Sequence, residues 1–179
     1  YPWEGGSVQR VRHMVEPGIT YLYVPDVHQT TLPDFDRFDR IDEANRIEYG
    51  LTQRLTTKVQ YGGKLPEYRD LLFLRVSQYY DLLIEDEVKD RFSPIRGQLT
   101  LAPTDFLELR ADSRYDINRD RWEAYSGELL LRDRRENHLG LQYRRQKDDV
   151  AEDELNYGSL RLGLASLSPV YLGYRNRYD

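Results

Sequence analysis

Cysteine is absent from this chain of 179 residues, methionine occurs once, and histidine occurs three times. The missing cysteine excludes disulfides and thiolate metal sites within the chain. No stretch approaches the roughly 18 consecutive apolar residues that a membrane helix needs, which excludes helical membrane spans. Acidic residues number 31 against 26 basic ones, so a broad basic surface for nucleic acid is not expected.

Catalytic patterns are also missing. The sequence has no Gly-x-Ser-x-Gly element and no phosphate loop, and its histidines are scattered at positions 13, 28 and 138. The acidic run Asp34–Asp42 lacks the glycine and terminal glutamate of an EF-hand, so a solvated loop is favoured over a calcium site. We therefore expect no enzymatic activity, no metal and no cofactor.

What the sequence does contain is alternation of apolar and polar residues in strand-length segments, repeated about nine times. In 46–55, for example, Ile47, Tyr49 and Leu51 alternate with Arg46 and Glu48. A period of two places alternate side chains on opposite faces of a strand, so each segment has one apolar and one charged face. Many such strands in series, with little helical pattern between them, indicate an antiparallel meander or barrel.

The predicted strands and their connections favour a membrane barrel. The strands cover 8–24, 44–57, 71–83, 95–101, 106–115, 123–132, 138–145, 155–165 and a ninth from 170. Connections after strands four, six and eight are short, whereas those after one, three and seven are longer and charged, as in outer-membrane barrels. The short loop after strand five and the long connection 58–70 are exceptions to this rule. Pro17 removes a ladder donor, so we expect a bend, a bulge or an unpaired position there.

The fold class expected is an all-β, antiparallel up-and-down transmembrane barrel segment of about nine strands that does not close on its own. Residues 1–179 form a single segment, and the chain looks like a piece of a longer protein because it opens at Tyr1 and ends inside a strand. The hydrophobic fraction of 39% and mean hydropathy of -0.77 equally suit a soluble β-sandwich that binds carbohydrate through Tyr and Arg. A generic outer-membrane channel or receptor barrel also fits.

Three elements in order resemble the LPS-assembly outer-membrane protein family LptD, also called the organic solvent tolerance protein family. The first combines Arg12, Glu16 and Pro17 with the strand Tyr-Leu-Tyr-Val-Pro at 21–25. The second is Phe-Asp-Arg-Ile-Asp-Glu-Ala-Asn at 38–45, followed by the Gly-x-Thr-x-Arg strand at 50–54. The third is the Ser-Gln-Tyr-Tyr strand at 77–80, where Ser77 stands in place of the family's glycine. The resemblance covers about the first 80 residues; the rest matches only as alternating strands.

The resemblance implies part of the barrel that inserts lipopolysaccharide into the outer leaflet of the Gram-negative outer membrane, without catalysis. The partners it implies are lipopolysaccharide, outer-membrane lipid, a plug lipoprotein similar to LptE, and periplasmic bridge proteins reached through an N-terminal jelly roll. Neither that jelly-roll domain nor the closing strands are visible in this sequence. The family's conserved cysteines are also missing, which puts a redox checkpoint in doubt.

Three sets of residues follow from the alternation and the resemblance. The residues given a structural role by the family motifs are Arg12, Glu16, Pro17, Asp39, Arg40 and Asn45, and we favour a buried ion pair involving Arg12 and Glu16. The residues expected to face the lumen are Arg46, Glu48, Arg54, Arg75, Glu108, Arg110, Arg144, Arg161 and Arg175. Arg114 shares their face by alternation. The residues expected to face lipid are Ile47, Tyr49, Leu51, Leu72, Leu74, Leu107, Leu109, Leu139, Leu141, Leu160, Leu162 and Leu172. The lumen-facing arginines either contact phosphates of lipid A or pair with Glu48, Glu108, Asp112 and Glu128 on neighbouring strands.

Overall fold

The computed structural model describes residues 6–26, 42–61, 65–84, 91–147, 154–165 and 171–178, with backbone alone at 6–7, 61, 154, 171–173, 175 and 177–178. Nine strands account for most of these residues. They are β1 Gly6–Val24, β2 Ala44–Tyr61, β3 Glu67–Asp81, β4 Ile95–Thr104, β5 Leu107–Asp116, β6 Arg121–Arg132, β7 His138–Lys147, β8 Glu154–Gly163 and β9 Tyr171–Tyr178.

Each strand pairs antiparallel with the strand that follows it in sequence, so the sheet has the order β1 to β9. β1 and β9 are its two edges, and the sheet is not closed. This confirms the predicted all-β, up-and-down antiparallel fold, which fits a partial barrel. Within the described ranges no helix is both long and apolar enough to span a membrane.

The predicted long connection 58–70 is wrong. Residues 58–61 continue β2 and residues 67–70 begin β3, because Thr57 pairs with Arg69, Lys58 with Tyr68, and Val59 with Glu67. Thr57 and Val59 are almost fully buried there. The connection after β2 is therefore only residues 62–66, and its length is comparable to the lengths of the connections after β4, β6 and β8.

The edge strand β1 passes through Pro17 without a register shift. Pro17 lies opposite Leu51 in an unbroken ladder, and the irregularity of this strand lies instead between Val8 and Arg10. A proline that lacks an N–H donor is tolerated on an edge strand, where only one side of the ladder is hydrogen-bonded. Of the expected bend, bulge or unpaired position, the register therefore shows neither a bulge nor an unpaired position at Pro17.

In the described residues the sheet is a single layer without a packed core. Among the described residues, Val59 is the only buried large apolar side chain, whereas many others are well exposed, including Ile19, Tyr21, Leu141 and Leu160. A water-soluble sandwich would cover one face of this sheet with a second layer. In the described part of the chain both faces of the sheet are open.

Candidate functional site: the polar face of the sheet

The register sorts the side chains onto two chemically different faces. Residues that pair directly in an antiparallel ladder project to the same side of the sheet. One continuous row across β4–β8 is Leu101, Leu109, Leu129, Leu141 and Leu160. A parallel row joins Leu107, Leu131, Leu139 and Leu162. We call the side that carries these rows the apolar face, and the opposite side the polar face.

Every described residue of the two predicted facing sets falls consistently on one side. The register puts the following on the apolar face: Ile47, Tyr49, Leu51, Leu72, Leu74, Leu107, Leu109, Leu139, Leu141, Leu160 and Leu162. The polar face receives Arg46, Glu48, Arg54, Arg75, Glu108, Arg110, Arg144 and Arg161. For Leu172 and Arg175 only the backbone is described, opposite Leu162 and Ser159 respectively.

A concave pocket of about 610 Å³ lies mainly on the polar face and spans β2 to β7. Apart from Ala124, its polar-face lining is ionic or polar: Glu48, Arg75, Ser77, Arg96, Gln98, Asp112, Arg114, Ser126, Gln142, Arg144 and Gln146. Because residues of six neighbouring strands line one cavity, the sheet curves with its charged side inward. No group of three metal-binding side chains occurs in the part of the chain that the structure describes.

Ion pairs on the polar face partly follow the predicted cross-strand scheme. Arg75 lies 3.8 Å from Glu48 on the neighbouring strand, and Arg161 lies 3.0 Å from Glu128 two strands away. Arg110 pairs with Glu108 on its own strand at 2.5 Å. Asp112 accepts a hydrogen bond from the Gln98 amide at 3.3 Å rather than from an arginine. Among the described residues, the polar face is therefore a mixed network in which some guanidinium groups have acidic partners and others do not.

Two further arginines that were expected to face the lumen contact aromatic rings. The guanidinium carbon of Arg46 lies 4.7 Å from the centre of the Tyr79 ring, and that of Arg54 lies 5.6 Å from the Phe73 ring. Cation–π contact of this kind positions a guanidinium group without neutralising its charge.

The motif residues have different environments. Arg12 and Glu16 are both exposed, and no ion pair joins them among the described residues, so the expected buried pair is not formed. They lie four residues apart on one strand, which separates their backbones by roughly 13 Å. Asp39 and Arg40 lie outside the described residues.

Asn45 connects three strands. Its side-chain oxygen accepts a hydrogen bond from the Tyr21 hydroxyl of β1 at 3.0 Å. Its backbone carbonyl accepts one at 2.7 Å from the N–H of Leu82, directly after β3. The motif asparagine therefore ties β1 and β3 together at the start of β2.

Gly50, the first residue of the Gly-x-Thr-x-Arg element, sits where the neighbouring strand leaves no room for a side chain. A Cβ at this position would lie 2.8 Å from the Val76 carbonyl oxygen and 3.0 Å from the Ser77 Cβ. Such distances are shorter than van der Waals contact, so the close approach of β2 and β3 requires glycine here.

An aromatic cluster, which the sequence analysis did not single out, lies on the apolar face beyond the leucine rows. Trp122 packs edge-to-face against Tyr115 with ring centres 5.0 Å apart and contacts Tyr125 at 6.4 Å. Tyr143 of the next strand continues the cluster, 6.0 Å from Tyr125. A register shift between Arg114 and Tyr115 brings Trp122 opposite Tyr115. Such a shift is not visible in a simple alternation pattern.

Fold and faces together define the class of protein: a curved, open up-and-down sheet, ionic inside and apolar outside, that fits a partial β-barrel. The family model for the LPS transport system D, LptD, matches residues 6–172. The chain belongs to the LptD family.

A relative in the same family is the LPS-assembly protein LptD of Hahella chejuensis (strain KCTC 2396). It is 24% identical to this chain over 161 residues, which covers 79% of the chain and 20% of the relative. The chain thus spans about a fifth of the length of that protein.

Proposed function

We propose that this chain is a wall segment of the outer-membrane barrel that inserts lipopolysaccharide into the outer leaflet. In this proposal the apolar face contacts the hydrocarbon of the bilayer, and the polar face borders a water-filled interior through which the saccharide part of the lipid moves. The segment guides the lipid and performs no chemical step on it. Membership of the LptD family supports this role in LPS transport and assembly.

The observation that carries the proposed orientation is the separation of leucine and charge on a sheet whose described residues form no packed core. Leu141 is 43% exposed and Leu160 is 39% exposed, although both belong to the continuous leucine row across β4–β8. Exposure of contiguous apolar rows to water would be costly, since each buried leucine contributes about 1.5–3 kcal/mol. Contact with lipid removes that cost, and the charged face then lines the interior as in other membrane barrels.

The aromatic cluster supports the same orientation. Tyr and Trp are enriched at the boundary between hydrocarbon and water, because their rings are apolar and carry one polar group. Tyr115, Trp122, Tyr125 and Tyr143 lie at one end of the leucine rows, near the turn 117–120. We infer that this end of β5–β7 lies at a membrane interface.

The proposal extends to partners outside this chain. These are a plug lipoprotein similar to LptE inside the barrel and periplasmic bridge proteins that deliver the lipid, reached through a jelly-roll domain elsewhere in the protein. The supporting observation is the family relationship together with a polar face wide enough to border a large interior.

Site-specific photocrosslinking in cells tests the proposal. A photoreactive amino acid at Arg110, Arg144 or Arg161 should crosslink to lipopolysaccharide, because these side chains share the polar face. The matched positions Leu109 and Leu160, each one residue from Arg110 and Arg161 respectively on the same strand, lie on the apolar face and should crosslink to bulk membrane lipid instead. Absence of lipopolysaccharide adducts from the three polar positions in a correctly assembled protein would favour a generic channel or receptor barrel.

A further inference from the structure

Two arginines face each other directly on the polar face. Arg96 of β4 pairs in register with Arg114 of β5, so their Cα atoms are about 4.5–5.5 Å apart and their side chains project to the same side. Like charges in directly opposite positions destabilise a sheet. Both residues line the concave pocket, and both are exposed to it.

The two carboxylates that line the pocket with this pair on the polar face are engaged by other residues. Glu48 is the partner of Arg75, and Asp112 accepts the Gln98 amide. Across the described residues, no hydrogen bond or ion pair engages Arg96 or Arg114.

The pocket around the pair therefore carries excess positive charge. Four of its arginines share the polar face, Arg75, Arg96, Arg114 and Arg144, against the two carboxylates Glu48 and Asp112. The chain as a whole has a net charge of -5, so this excess is local.

The residues beside the arginine pair leave space for a ligand and supply hydrogen-bond donors. Along the same row, Ser77 lies beside Arg96, and Ala124 lies beside Arg114, followed by Gln146. The small side chain of Ala124 keeps the floor of the pocket open, and the Ser77 hydroxyl and Gln146 amide are neutral hydrogen-bonding groups at the two ends of the row. Two guanidinium groups at one strand spacing can each donate two parallel N–H bonds to the oxygens of a phosphoryl group.

We infer that Arg96 and Arg114 form the centre of an anion site that binds a phosphoryl group in the concave pocket. Bridging by the anion converts the repulsion between the two guanidinium groups into attraction to a shared ligand. The phosphoryl group comes either from the phosphorylated headgroup of the transported lipid, which rests on the proposed function, or from free phosphate. Both sources present the same tetrahedral oxyanion.

The test uses the intact protein that contains this segment, purified in detergent, and isothermal titration with inorganic phosphate at low ionic strength. The double variant Arg96→Gln/Arg114→Gln should bind phosphate at least about tenfold more weakly, because it loses charge-assisted hydrogen bonds. The control Arg132→Gln/Arg135→Gln removes two exposed arginines at the end of β6 and in the turn after it, outside the lining of the pocket. This control should stay within about twofold of the parent. Equal phosphate affinity in the parent and in Arg96→Gln/Arg114→Gln would overturn the inference.

A second arm separates the two sources. Binding of lipopolysaccharide and of the same lipid after enzymatic removal of its phosphates is measured on both proteins. A lipid source predicts that dephosphorylation and Arg96→Gln/Arg114→Gln each weaken binding about tenfold and that their effects do not add, since both remove the same contact. If free phosphate binds at the pair but removal of the phosphates from the lipid does not change its binding affinity, the anion site is supported and its ligand is free phosphate.

Thermal unfolding shows whether the variants are folded. Together with crosslinking, it separates this inference from the proposed function. Without phosphate, Arg96→Gln should be at least as stable as the parent, because repulsion is removed, and only the parent should be stabilised by phosphate. If position 144 still crosslinks to lipopolysaccharide but Arg96→Gln/Arg114→Gln leaves phosphate affinity unchanged, the anion site alone is refuted. Loss of that crosslinking while phosphate still binds at the pair would refute the transport role alone.

Discussion

Arg161 of β8 lies across β7 and pairs with Glu128 of β6, with 3.0 Å between its Nη2 and the carboxylate oxygen. The residue between them is Gly140, directly opposite Arg161 in the register. A Cβ at position 140 would lie 3.6 Å from the Arg161 Cβ and 3.9 Å from its Nε, so the arginine side chain rests over the glycine. The ion pair thus connects two strands that share no backbone hydrogen bonds.

A double-mutant cycle should measure this connection. Glu128→Gln and Arg161→Gln, alone and together, are expected to show a coupling free energy of about 0.5 kcal/mol, because both groups are partly exposed and screened. Urea unfolding of the intact protein in lipid vesicles provides the measurement, and 1 M salt should reduce the coupling. The cycle of Glu128→Gln with the distant Arg75→Gln serves as the control and should be additive. Additivity of the Glu128 and Arg161 substitutions at low salt would show that the contact contributes nothing.

Gly18 and Gly50 are opposite each other in the register, yet they should respond differently to the same substitution. Gly50→Ala places a Cβ 2.8 Å from the Val76 carbonyl oxygen, which is backbone and cannot swing away, so we expect a loss of about 1–3 kcal/mol. Gly18→Ala meets no atom within 4 Å and should stay within about 0.5 kcal/mol of the parent. Urea midpoints of the two variants in the same vesicles check this. Equal destabilisation would mean that loss of glycine, rather than contact with β3, determines the effect.

Much of the fold could be predicted from alternation because long stretches of the strands follow the period of two. In β5, Leu107, Leu109 and Ala111 alternate with charged residues, and the register indeed carries all three on the apolar face. Sequential antiparallel pairing then follows from short turns such as 133–137. Strand ends were predicted less well, since Lys58 and Tyr68 look like polar loop residues until the ladder pairs them.

Contacts between residues of different strands could not be predicted from the alternation within a single strand. The facing of Arg96 and Arg114 depends on the register of β4 against β5, and Gly97 interrupts the alternation that would have marked Arg96. Likewise, Trp122 joins Tyr115 only because the ladder shifts by one residue between Arg114 and Tyr115. The expected ion pair between Arg12 and Glu16 is not observed for a different reason. Both residues belong to one sequence motif, but an extended strand holds them too far apart for direct contact.

The turn between β6 and β7, which lies outside the strands, should make stability depend on pH through Asp133. Its carboxylate accepts hydrogen bonds from the Asn137 side-chain amide at 2.6 Å and from the backbone N–H groups of Arg135 at 2.7 Å and Asn137 at 2.9 Å. The Asn137 amide bond contributes most to lowering the pKa of Asp133 below 3.8; partial desolvation opposes it, and the two N–H groups and the Arg135 charge add to the lowering. The stabilisation is therefore present above about pH 4 and is lost as the pH falls through the lowered pKa.

The variant Asp133→Asn tests this pH dependence. It should be less stable than the parent at pH 7, and the difference should shrink as the pH falls below 3.8, where the parent also loses its carboxylate. Urea unfolding at several pH values supplies the comparison. Glu136→Gln removes the same charge from the same turn without removing the three bonds to Asp133, so it should change stability little. A stability difference for Asp133→Asn that stayed constant down to pH 2 would assign the effect to turn geometry rather than to ionisation.

Leu141 and Gln142 are adjacent on β7 and lie on opposite faces, so replacing each by arginine tests the orientation of the whole sheet. Leu141→Arg places a charge in the central leucine row and should cost about 2–4 kcal/mol if that row faces the middle of a bilayer. Leu109→Arg in the same row should cost a similar amount, and Leu162→Arg, one row nearer the strand ends, the same or less. Gln142→Arg adds the same side chain to the wet polar face and should cost less than about 0.5 kcal/mol. Unfolding of the intact protein in vesicles gives the values. If Gln142→Arg proved the costly change and Leu141→Arg the neutral one, the polar face would be the side turned toward lipid, and the proposed water-filled interior would have to be abandoned.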